Sequence, residues 1–366
     1  MRALVYDRYG SADVVSVGTV DDPVPGPRDV VLQQRATAVN SGDARLRKAD
    51  FPDGFGLLGR LAVGWSRPRR RVLGVDVAGV VTEVGSKVTE FAPGDRVVGQ
   101  TGTRMGAHAE RVCVSVDHCL VRLPDAVPFE EAAALPFGGC TALTFLDARL
   151  KVQRGERVLV VGASGSVGVA SVQVARQLGA HVTGVCSGAN EPLVRSLGAE
   201  HVIDYTRDDL STITERWDVV VDTVGHHPVA SVRRLATPRG RVGLVAGGIP
   251  QMLAGVWANL TSRQHVAFGP ADENPAYVER LVGWVAAGEY VPVIHSRHPW
   301  EHGAEAHALV DSHHKRGSVV LTFPEESRGT TAQGSRVTRF SPRFTVTLFT
   351  GRGVASPSTS MRSNRW

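Results

Sequence analysis

The 366-residue sequence has few cysteines and no long apolar run. Its four cysteines form no CxxC pair and are too few for a disulfide framework, which favours a reduced, cytoplasmic setting. No apolar stretch reaches the length of a transmembrane helix, and "MRALVYDRYG" lacks the apolar core of a signal peptide. We therefore expect a cytoplasmic protein that has no membrane partner.

The chain also lacks an excess of charge outside its last segment. The formal net charge is +5, and residues 325–366 hold seven arginines, no lysine and two glutamates. Acidic and basic residues are therefore equal in number in residues 1–324, which gives no basic surface for nucleic acid. The composition of 325–366, rich in Ser, Thr, Arg and Gly, predicts a disordered basic tail.

The sequence does contain enough apolar residues to fill two hydrophobic cores. These residues follow one pattern in the first part of the chain and another farther on. Residues 1–125 alternate short β-rich stretches such as "DVVLQQRATAVN" with turn signals, which is typical of a small antiparallel barrel or sandwich. Farther on, strands such as "RVLVVG" alternate with helices such as "SVGVASVQVARQLG". This alternation indicates a doubly wound parallel sheet, so the predicted fold class is α/β.

The stretch "VLVVGASGSVGVA" places small residues between a strand and a helix. It contains a dinucleotide-binding fingerprint with Ala163 at the first glycine position. Gly165 lets the backbone approach a pyrophosphate, Gly168 lets helix and strand pack closely, and the helix N-terminus attracts the anion. A tight structural turn is the alternative. The surrounding βα units favour a cofactor site that includes Gly165, Ser166, Val167 and Gly168.

The end of the next strand bears on which dinucleotide binds. An NAD site usually has Asp or Glu there, whereas this chain has Cys186-Ser187. Neutral Ser187 leaves room for a 2′-phosphate, so NADPH is favoured over NADH. The segment "SGAN", however, supplies no Arg or Lys for that phosphate.

Four stretches carry a family resemblance: "VLGVDVAGVVTEVGSKVTEFAPGDRVVG", "VLVVGASGSVGVASVQVARQLGAHVTGVCS", "LVRSLGAEHVIDY" and "HKRGSVVLTF". Together they resemble the zinc-free quinone oxidoreductase branch of the medium-chain dehydrogenase/reductase superfamily. The resemblance implies a GroES-like β-barrel catalytic domain, residues 1–125 completed by 272–324, and a Rossmann NADP-binding domain, residues 126–271. It implies hydride transfer from NADPH to a quinone or an activated enone in the cleft between them.

The main alternative enzyme is a zinc-type alcohol dehydrogenase of the same superfamily. Where the resemblance places the catalytic zinc ligands, this chain has Asn40 in "NSGD" and Val75 in "GVD". Neither side chain is a usual zinc ligand, so no metal is expected. An alternative from another class is a non-catalytic NADPH-binding sensor protein.

The resemblance also implies roles for individual residues. Asn40, the catalytic candidate, and Thr141 would lie beside the nicotinamide, with turn and helix stabilisation as the alternative for both. The remaining candidate cofactor contacts are Ser187, Tyr205, Gly225, Gly247, Phe268 and Arg316. Arg316 would supply the missing charge to a 2′-phosphate, or be a solvated loop arginine.

On the substrate side the chain departs from its relatives. Two tyrosines of some quinone oxidoreductases are replaced by Arg45 and Phe51, and no side chain is an obvious proton donor. Water can supply the proton, and an inward-facing Arg45 would stabilise negative charge on a substrate oxygen. The stretch "ARLRKAD", however, is more typical of a solvated basic helix edge, which is the favoured interpretation of Arg45. The expected partner is a small quinone or enone, with a homodimer left open.

Overall fold

The computed structural model describes residues 1–225 and 227–324. Within these two ranges no helix is both long and apolar enough to cross a membrane. The predicted tail, residues 325–366, lies outside the described residues.

The helices and strands follow one another along the chain in three parts. The first part of the chain contains β1 (Arg2–Val5), β2 (Ser16–Thr19), β3 (Asp29–Val39), α1 (Ser41–Lys48), α2 (Gly56–Val63), β4 (Asp76–Val84), β5 (Arg96–Gln100), β6 (Arg111–Ser115), β7 (Leu120–Arg122), α3 (Phe129–Ala133) and α4 (Pro136–Leu143). The middle part contains β8 (Arg157–Val161), α5 (Ser166–Gln177), β9 (His181–Cys186), α6 (Glu191–Ser196), β10 (His201–Asp204), β11 (Trp217–Asp222), α7 (Val229–Arg234), β12 (Ala236–Leu244), α8 (Ile249–Thr261) and β13 (His265–Phe268). The last part contains α9 (Pro275–Ala286), β14 (Ile294–Pro299), α10 (Gly303–Asp311) and β15 (Ser318–Thr322).

One sheet is mainly antiparallel and combines the first and last parts of the chain. Its strand order is β14-β15-β3-β4-β5-β7, and β6 also pairs with β3. Strand β15 runs antiparallel to β3 and places Val319 opposite Val39. The C-terminal segment therefore completes the sheet that the N-terminal part begins.

A second large sheet is parallel, with the order β10-β9-β8-β11-β12-β13, and β1 and β2 form a separate antiparallel pair. Central strand β8 is an apolar run because both of its faces are covered: Val158 and Val160 pack in the cluster that includes α5, while Leu159 and Val161 face the cluster of α7 and α8. From β8 the chain adds strands β9 and β10 on one side and then returns to add β11, β12 and β13 on the other, so the strand order reverses between β8 and β11. Such a switch point is where open α/β sheets bind ligands.

The predicted antiparallel and doubly wound parallel sheets are therefore both present. The boundaries 1–125, 126–271 and 272–324 stay predictions. One hydrophobic cluster contains residues of both sheets, among them Ala36 and Val160. The pattern predicts no helix where α2 lies.

Candidate functional site

A cleft of about 880 Å³ lies at the C-terminal edge of the parallel sheet. It is lined by the turns that follow β8 and β11, by one side of α1, and by the segment that leads into β15. Its position is the switch point of the strand order. The fold therefore brings the glycine turn, α1 and the C-terminal segment to one cleft.

The glycine turn has the shape that a bound phosphate needs. Gly165 is the N-cap of α5, and a Cβ added there would have only the Gly162 carbonyl oxygen nearby, at 3.6 Å. A Cβ at Gly168 would instead lie 2.0 Å from that same oxygen. Gly165 thus borders open space in front of a helix N-terminus, whereas Gly168 permits the close contact between turn and helix.

Lys315 reaches the same turn from the C-terminal segment. Its Nζ donates to the Gly317 carbonyl oxygen at 2.9 Å and to the Ser166 hydroxyl. The Gly317 amide in turn donates to the Ser164 carbonyl oxygen at 2.9 Å. Burial lowers the pKa of Lys315 to about 8. A half-buried cation beside a helix N-terminus favours binding of an anion.

The predicted site residues fall into two groups. Six line the cleft: Thr141, Gly165, Ser166, Val167, Tyr205 and Gly247. Six others each directly adjoin a lining residue in sequence: Asn40, Gly168, Ser187, Gly225, Phe268 and Arg316. The motifs therefore identify the loops around the cleft, while the residue that enters the cleft is often the neighbour of the predicted one.

Asn40 is buried and caps α1. Its side-chain oxygen accepts a hydrogen bond from the Asp43 backbone amide at 3.1 Å, and its backbone amide donates to the Asp43 carboxylate at 2.9 Å. Its Nδ2 donates to Asp76 at 3.5 Å, and Gln100 donates to the same carboxyl group at 3.1 Å. Burial and the nearby Asp43 raise the pKa of Asp76 to about 8. Asn40 thus joins the start of α1 to a buried carboxyl group.

The two predicted contacts at the adenosine end differ in exposure. The Ser187 hydroxyl accepts from Asn190 Nδ2 at 3.2 Å, and the same amide donates to the Ser164 hydroxyl at 3.1 Å. Asn190 therefore ties the end of β9 to the glycine turn. Tyr205 is 58% exposed and lines the cleft, so its ring is open to a ligand.

Arg316, by contrast, is exposed, and its backbone amide donates to His295 Nδ1 at 3.1 Å. The cation of this segment that lines the cleft is Lys315, which sequence reasoning missed. Both cations stand in the same stretch, "HKRGS", and only the path of the loop separates them.

Positive charge also lines the cleft at α1. Arg45 and Lys48 both line it from α1. Lys48 pairs with Asp311 at 2.9 Å, whereas Arg45 has no ion-pair partner among the residues that the structure describes. Asp50 lines the same side. Arg45 therefore lines the cleft without an acidic partner among the described residues, whereas Lys48 is held by Asp311.

Neither predicted zinc-ligand position carries a usual ligand side chain, since these positions hold Asn40 and Val75. Across residues 1–225 and 227–324, no group of three or more His, Cys, Asp or Glu is arranged to hold a metal ion.

Comparisons with known proteins agree with this architecture. Residues 26–125 match the family described as "Alcohol dehydrogenase GroES-like domain", and residues 197–321 match "Zinc-binding dehydrogenase". The chain is 31% identical over 336 residues to the chloroplast envelope quinone oxidoreductase homolog of Arabidopsis thaliana, covering 88% of this chain and 98% of that protein. It is 30% identical to the mitochondrial NAD(P)H oxidoreductase RTN4IP1 of Mus musculus, covering 88% and 89%.

Among solved structures, the quinone oxidoreductase from Coxiella burnetii superposes with a TM-score of 0.79 at 26% identity, covering 88% of this chain and 99% of the other. A GroES-like part joined to a Rossmann sheet defines the class: an oxidoreductase of the dehydrogenase and reductase type. The chain belongs to the medium-chain dehydrogenase/reductase superfamily, in its quinone oxidoreductase-like branch. The predicted fold class and family are confirmed.

Proposed function

We propose that the protein is an NADPH-dependent reductase that transfers a hydride to a quinone or an activated enone without zinc. The observation that carries this proposal is the glycine turn, with open space at Gly165, the N-terminus of α5 behind it and Lys315 beside it. The printed names of the mouse and Arabidopsis relatives, an NAD(P)H oxidoreductase and a quinone oxidoreductase homolog, support it.

The cleft offers contacts for each part of the cofactor. Gly165, Ser166 and Val167 would bind the diphosphate at the helix N-terminus, and Lys315 would balance its charge. Thr141 and Gly247 would contact the nicotinamide part. When bound there, NADPH supplies the hydride, and the chain holds the cofactor and the acceptor next to each other in the cleft.

The choice of NADPH rests on the end of β9. Ser187 stands where an acid would bind the ribose of NADH. The nearby Asp204, at the end of β10, is engaged by Thr206, whose amide and hydroxyl donate to it at 3.0 and 2.7 Å. Ser187, Tyr205 and Gly225 are proposed to bind the adenosine end, with Arg316 as an outer contact there. Phe268 is proposed to lie over the nicotinamide.

On the substrate side, Arg45 would donate hydrogen bonds to the oxygen that gains negative charge as the hydride arrives. A proton from water then completes the reduction. Asn40 would act by fixing the start of α1, and with it the position of Arg45.

A steady-state assay of NADPH oxidation tests the proposal. With a panel of quinones and enones, we expect turnover that extensive chelation leaves unchanged, and metal analysis of the purified protein should find far less than one zinc per chain. An assay of the chelated protein with added zinc is the control. Loss of turnover on chelation, restored by zinc, would support the zinc alcohol dehydrogenase alternative. Tight NADPH binding without turnover of any acceptor would support the non-catalytic alternative.

A further inference from the structure

Lysine is scarce in this chain. Of its 41 basic residues four are lysines, at positions 48, 87, 151 and 315, and the others are arginines. Lys87 and Lys151 are exposed, and Lys48 pairs with Asp311 at 2.9 Å. Lys315 is half-buried, lines the cleft and has no ion-pair partner among the residues that the structure describes. It is therefore the cleft amine that no neighbouring acid holds in its charged form.

The hydrogen bonds around Lys315 Nζ leave its lone pair free once the amine is neutral. Nζ donates to the Gly317 carbonyl oxygen at 2.9 Å and to the Ser166 hydroxyl oxygen. That hydroxyl donates its own hydrogen to the Gly317 carbonyl oxygen at 2.7 Å. A neutral amine has two hydrogens, which these two acceptors take up, and neither acceptor has a hydrogen left to donate in return. The nitrogen lone pair is therefore available to attack a carbon atom.

Burial makes the neutral amine of Lys315 common at ordinary pH. It lowers the pKa of Lys315 to about 8, so about one chain in ten carries the neutral amine at pH ~7. A lysine with the usual pKa of about 10.4 has a neutral amine in roughly one chain in two thousand at that pH. The neutral amine is the nucleophile, and lysines desolvated in this way form imines with carbonyl compounds. Lys315 is therefore a stronger nucleophile at neutral pH than an ordinary surface lysine.

An element that favours anions lies beside this amine. Gly165 borders open space at the N-terminus of α5. Ser166, the first residue of α5, accepts the hydrogen bond from Lys315 Nζ. A phosphate group in front of this helix would accept hydrogen bonds from its first backbone amides. The cleft therefore holds an anion site and a nucleophilic nitrogen side by side.

We propose that Lys315 is a covalent binding site for an aldehyde that carries a phosphate group. The phosphate binds at the glycine turn, and the lone pair of Lys315 Nζ forms a bond to the aldehyde carbon. The carbonyl oxygen then leaves as water with the two hydrogens of the amine, so a C=N bond replaces the C=O bond. Nothing is oxidised or reduced, and water reverses the step. Free phosphate lacks a carbon for the amine to attack, and an uncharged aldehyde lacks the group that anchors it.

The covalent site overlaps the proposed cofactor site. The phosphate of the aldehyde and the diphosphate of NADPH would both bind at Gly165 and Ser166, so that each excludes the other. A phosphorylated aldehyde would therefore block the cofactor-free protein and spare the protein that already holds NADPH. This exclusion rests on the proposed function, whereas imine formation at Lys315 requires neither cofactor nor turnover.

Pyridoxal 5′-phosphate is the probe for this site, because it carries both an aldehyde and a phosphate. The full chain is incubated with it, borohydride reduces the imine to a stable secondary amine, and peptide mass spectrometry identifies the labelled residue. We expect Lys315 to be labelled about tenfold or more faster than Lys87 and Lys151. Pyridoxal, which lacks the phosphate, should lose this preference for Lys315. Inorganic phosphate should slow the labelling of Lys315 by pyridoxal 5′-phosphate and leave that of Lys87 unchanged.

Two variants serve as matched controls. Lys315→Arg keeps a positive charge in the cleft but has no amine that forms an imine, so the preferential label should disappear. Lys87→Arg makes the same change at an exposed position and should leave the labelling of Lys315 unchanged. Circular dichroism melts check that both variants fold, and the comparison of the two aldehydes on the original chain needs no variant.

Three results separate this proposal from the proposed function. Equal labelling of Lys315, Lys87 and Lys151 would overturn the covalent site. So would a preference for Lys315 that pyridoxal shows as strongly as pyridoxal 5′-phosphate, since the phosphate would then have no part in it. Selective labelling that saturating NADPH does not slow would support the covalent site and contradict a cofactor bound at the glycine turn.

Discussion

Two glycines three residues apart do different physical work. Gly165 and Gly168 both belong to the fingerprint, yet a Cβ at Gly165 meets open space and one at Gly168 meets the Gly162 carbonyl oxygen at 2.0 Å. Gly165 has φ of −74°, a value that any residue adopts. The first glycine therefore leaves room for a ligand, and the second is required by the fold itself.

This difference predicts opposite outcomes for matched substitutions. Gly165→Val should keep the melting temperature of the free protein and weaken NADPH binding, because the side chain fills the space in front of the helix. Gly168→Val should lower the free energy of unfolding by about 1–3 kcal/mol or more through overpacking. Thermal melts and fluorescence titration distinguish them. Normal NADPH binding by folded Gly165→Val would mean that the turn binds no phosphate.

The positions of residues were predictable from sequence only where local geometry decides them. The spacing of the fingerprint predicts that Gly165 and Ser166 lie at the start of α5, where the structure has them, because a strand-turn-helix unit is built from consecutive residues. Their role in binding a cofactor stays a prediction. The side-chain oxygen and the backbone amide of Asn40 both take part in capping α1. The three-residue spacing of Asn40 and Asp43 is itself a sequence signal for that cap. Whether Lys315 or Arg316 enters the cleft depends on the path of a loop, which no local pattern determines.

At the scale of elements, the segment that leads into β15 closes one side of the glycine turn. Gly165 and Gly317 form an isolated parallel bridge, and Ser166 donates to the Gly317 carbonyl oxygen at 2.7 Å. Lys315 stands two residues before this bridge. The turn after β8 therefore shares its ligand space with a segment of the other sheet.

This contact predicts a pH dependence for cofactor binding. The pKa of Lys315 is lowered to about 8, so the amine of the free protein loses its charge as the pH rises through 8. An anion binds the charged form, so affinity for NADPH should be constant below pH ~7 and fall above pH ~8, by up to about tenfold per unit. Isothermal titration calorimetry with NADPH from about pH 6.5 to about pH 9.5, a range that brackets the pKa, measures this dependence.

Variants at two neighbouring positions show whether Lys315 or Arg316 supplies the positive charge that binds the cofactor. Lys315→Arg should bind with little dependence on pH over this range, because a guanidinium stays charged. Lys315→Met should bind more weakly than the original chain below pH ~8 and show little dependence on pH, and Arg316→Met should leave the profile unchanged. A profile that disappears in Arg316→Met, and survives in Lys315→Met, would assign the role to Arg316.

Helices and strands with a clear hydrophobic periodicity were predictable from sequence. Elements whose position depends on contacts with distant segments of the chain were not. The apolar run of β8 and the 3.6-residue period of α5 predict both elements and their order. The pairing of β15 with β3 joins segments at opposite ends of the described chain, and only the family resemblance implies it. Helix α2 escaped prediction because it buries no face, so its sequence has no amphipathic period tied to a core.

At the scale of the whole molecule, the two sheets share a core. Val320 of β15 and Val169 of α5 belong to one hydrophobic cluster. Leu281 of α9 packs so closely on α4 that a Cβ at Gly139 would lie 2.4 Å from it. The sheets are therefore not independent bodies joined only by a linker.

This shared core predicts that the segment 126–271 does not function alone. Without α9, helix α4 of this segment would expose apolar surface. Without Lys315 and Gly317, the glycine turn would lose the hydrogen bonds that these two residues make to it. We expect the isolated segment to show no cooperative thermal transition and no measurable NADPH binding, in contrast to the full chain. Circular dichroism melts and fluorescence titration check this. A fragment that melts cooperatively and binds NADPH as the full chain does would establish an independent domain.

The bridge between Gly165 and Gly317 also sets an order of events during synthesis. Ser166 and Gly317, which hydrogen-bond to each other, are 151 residues apart in the chain. A chain still emerging from the ribosome can form the turn and helix α5 early, because domains generally begin to fold from the N-terminal side. Lys315 and Gly317 arrive only after α9 and α10 have been made. A nascent chain therefore lacks Lys315 and Gly317 beside the glycine turn until the segment just before β15 has been made.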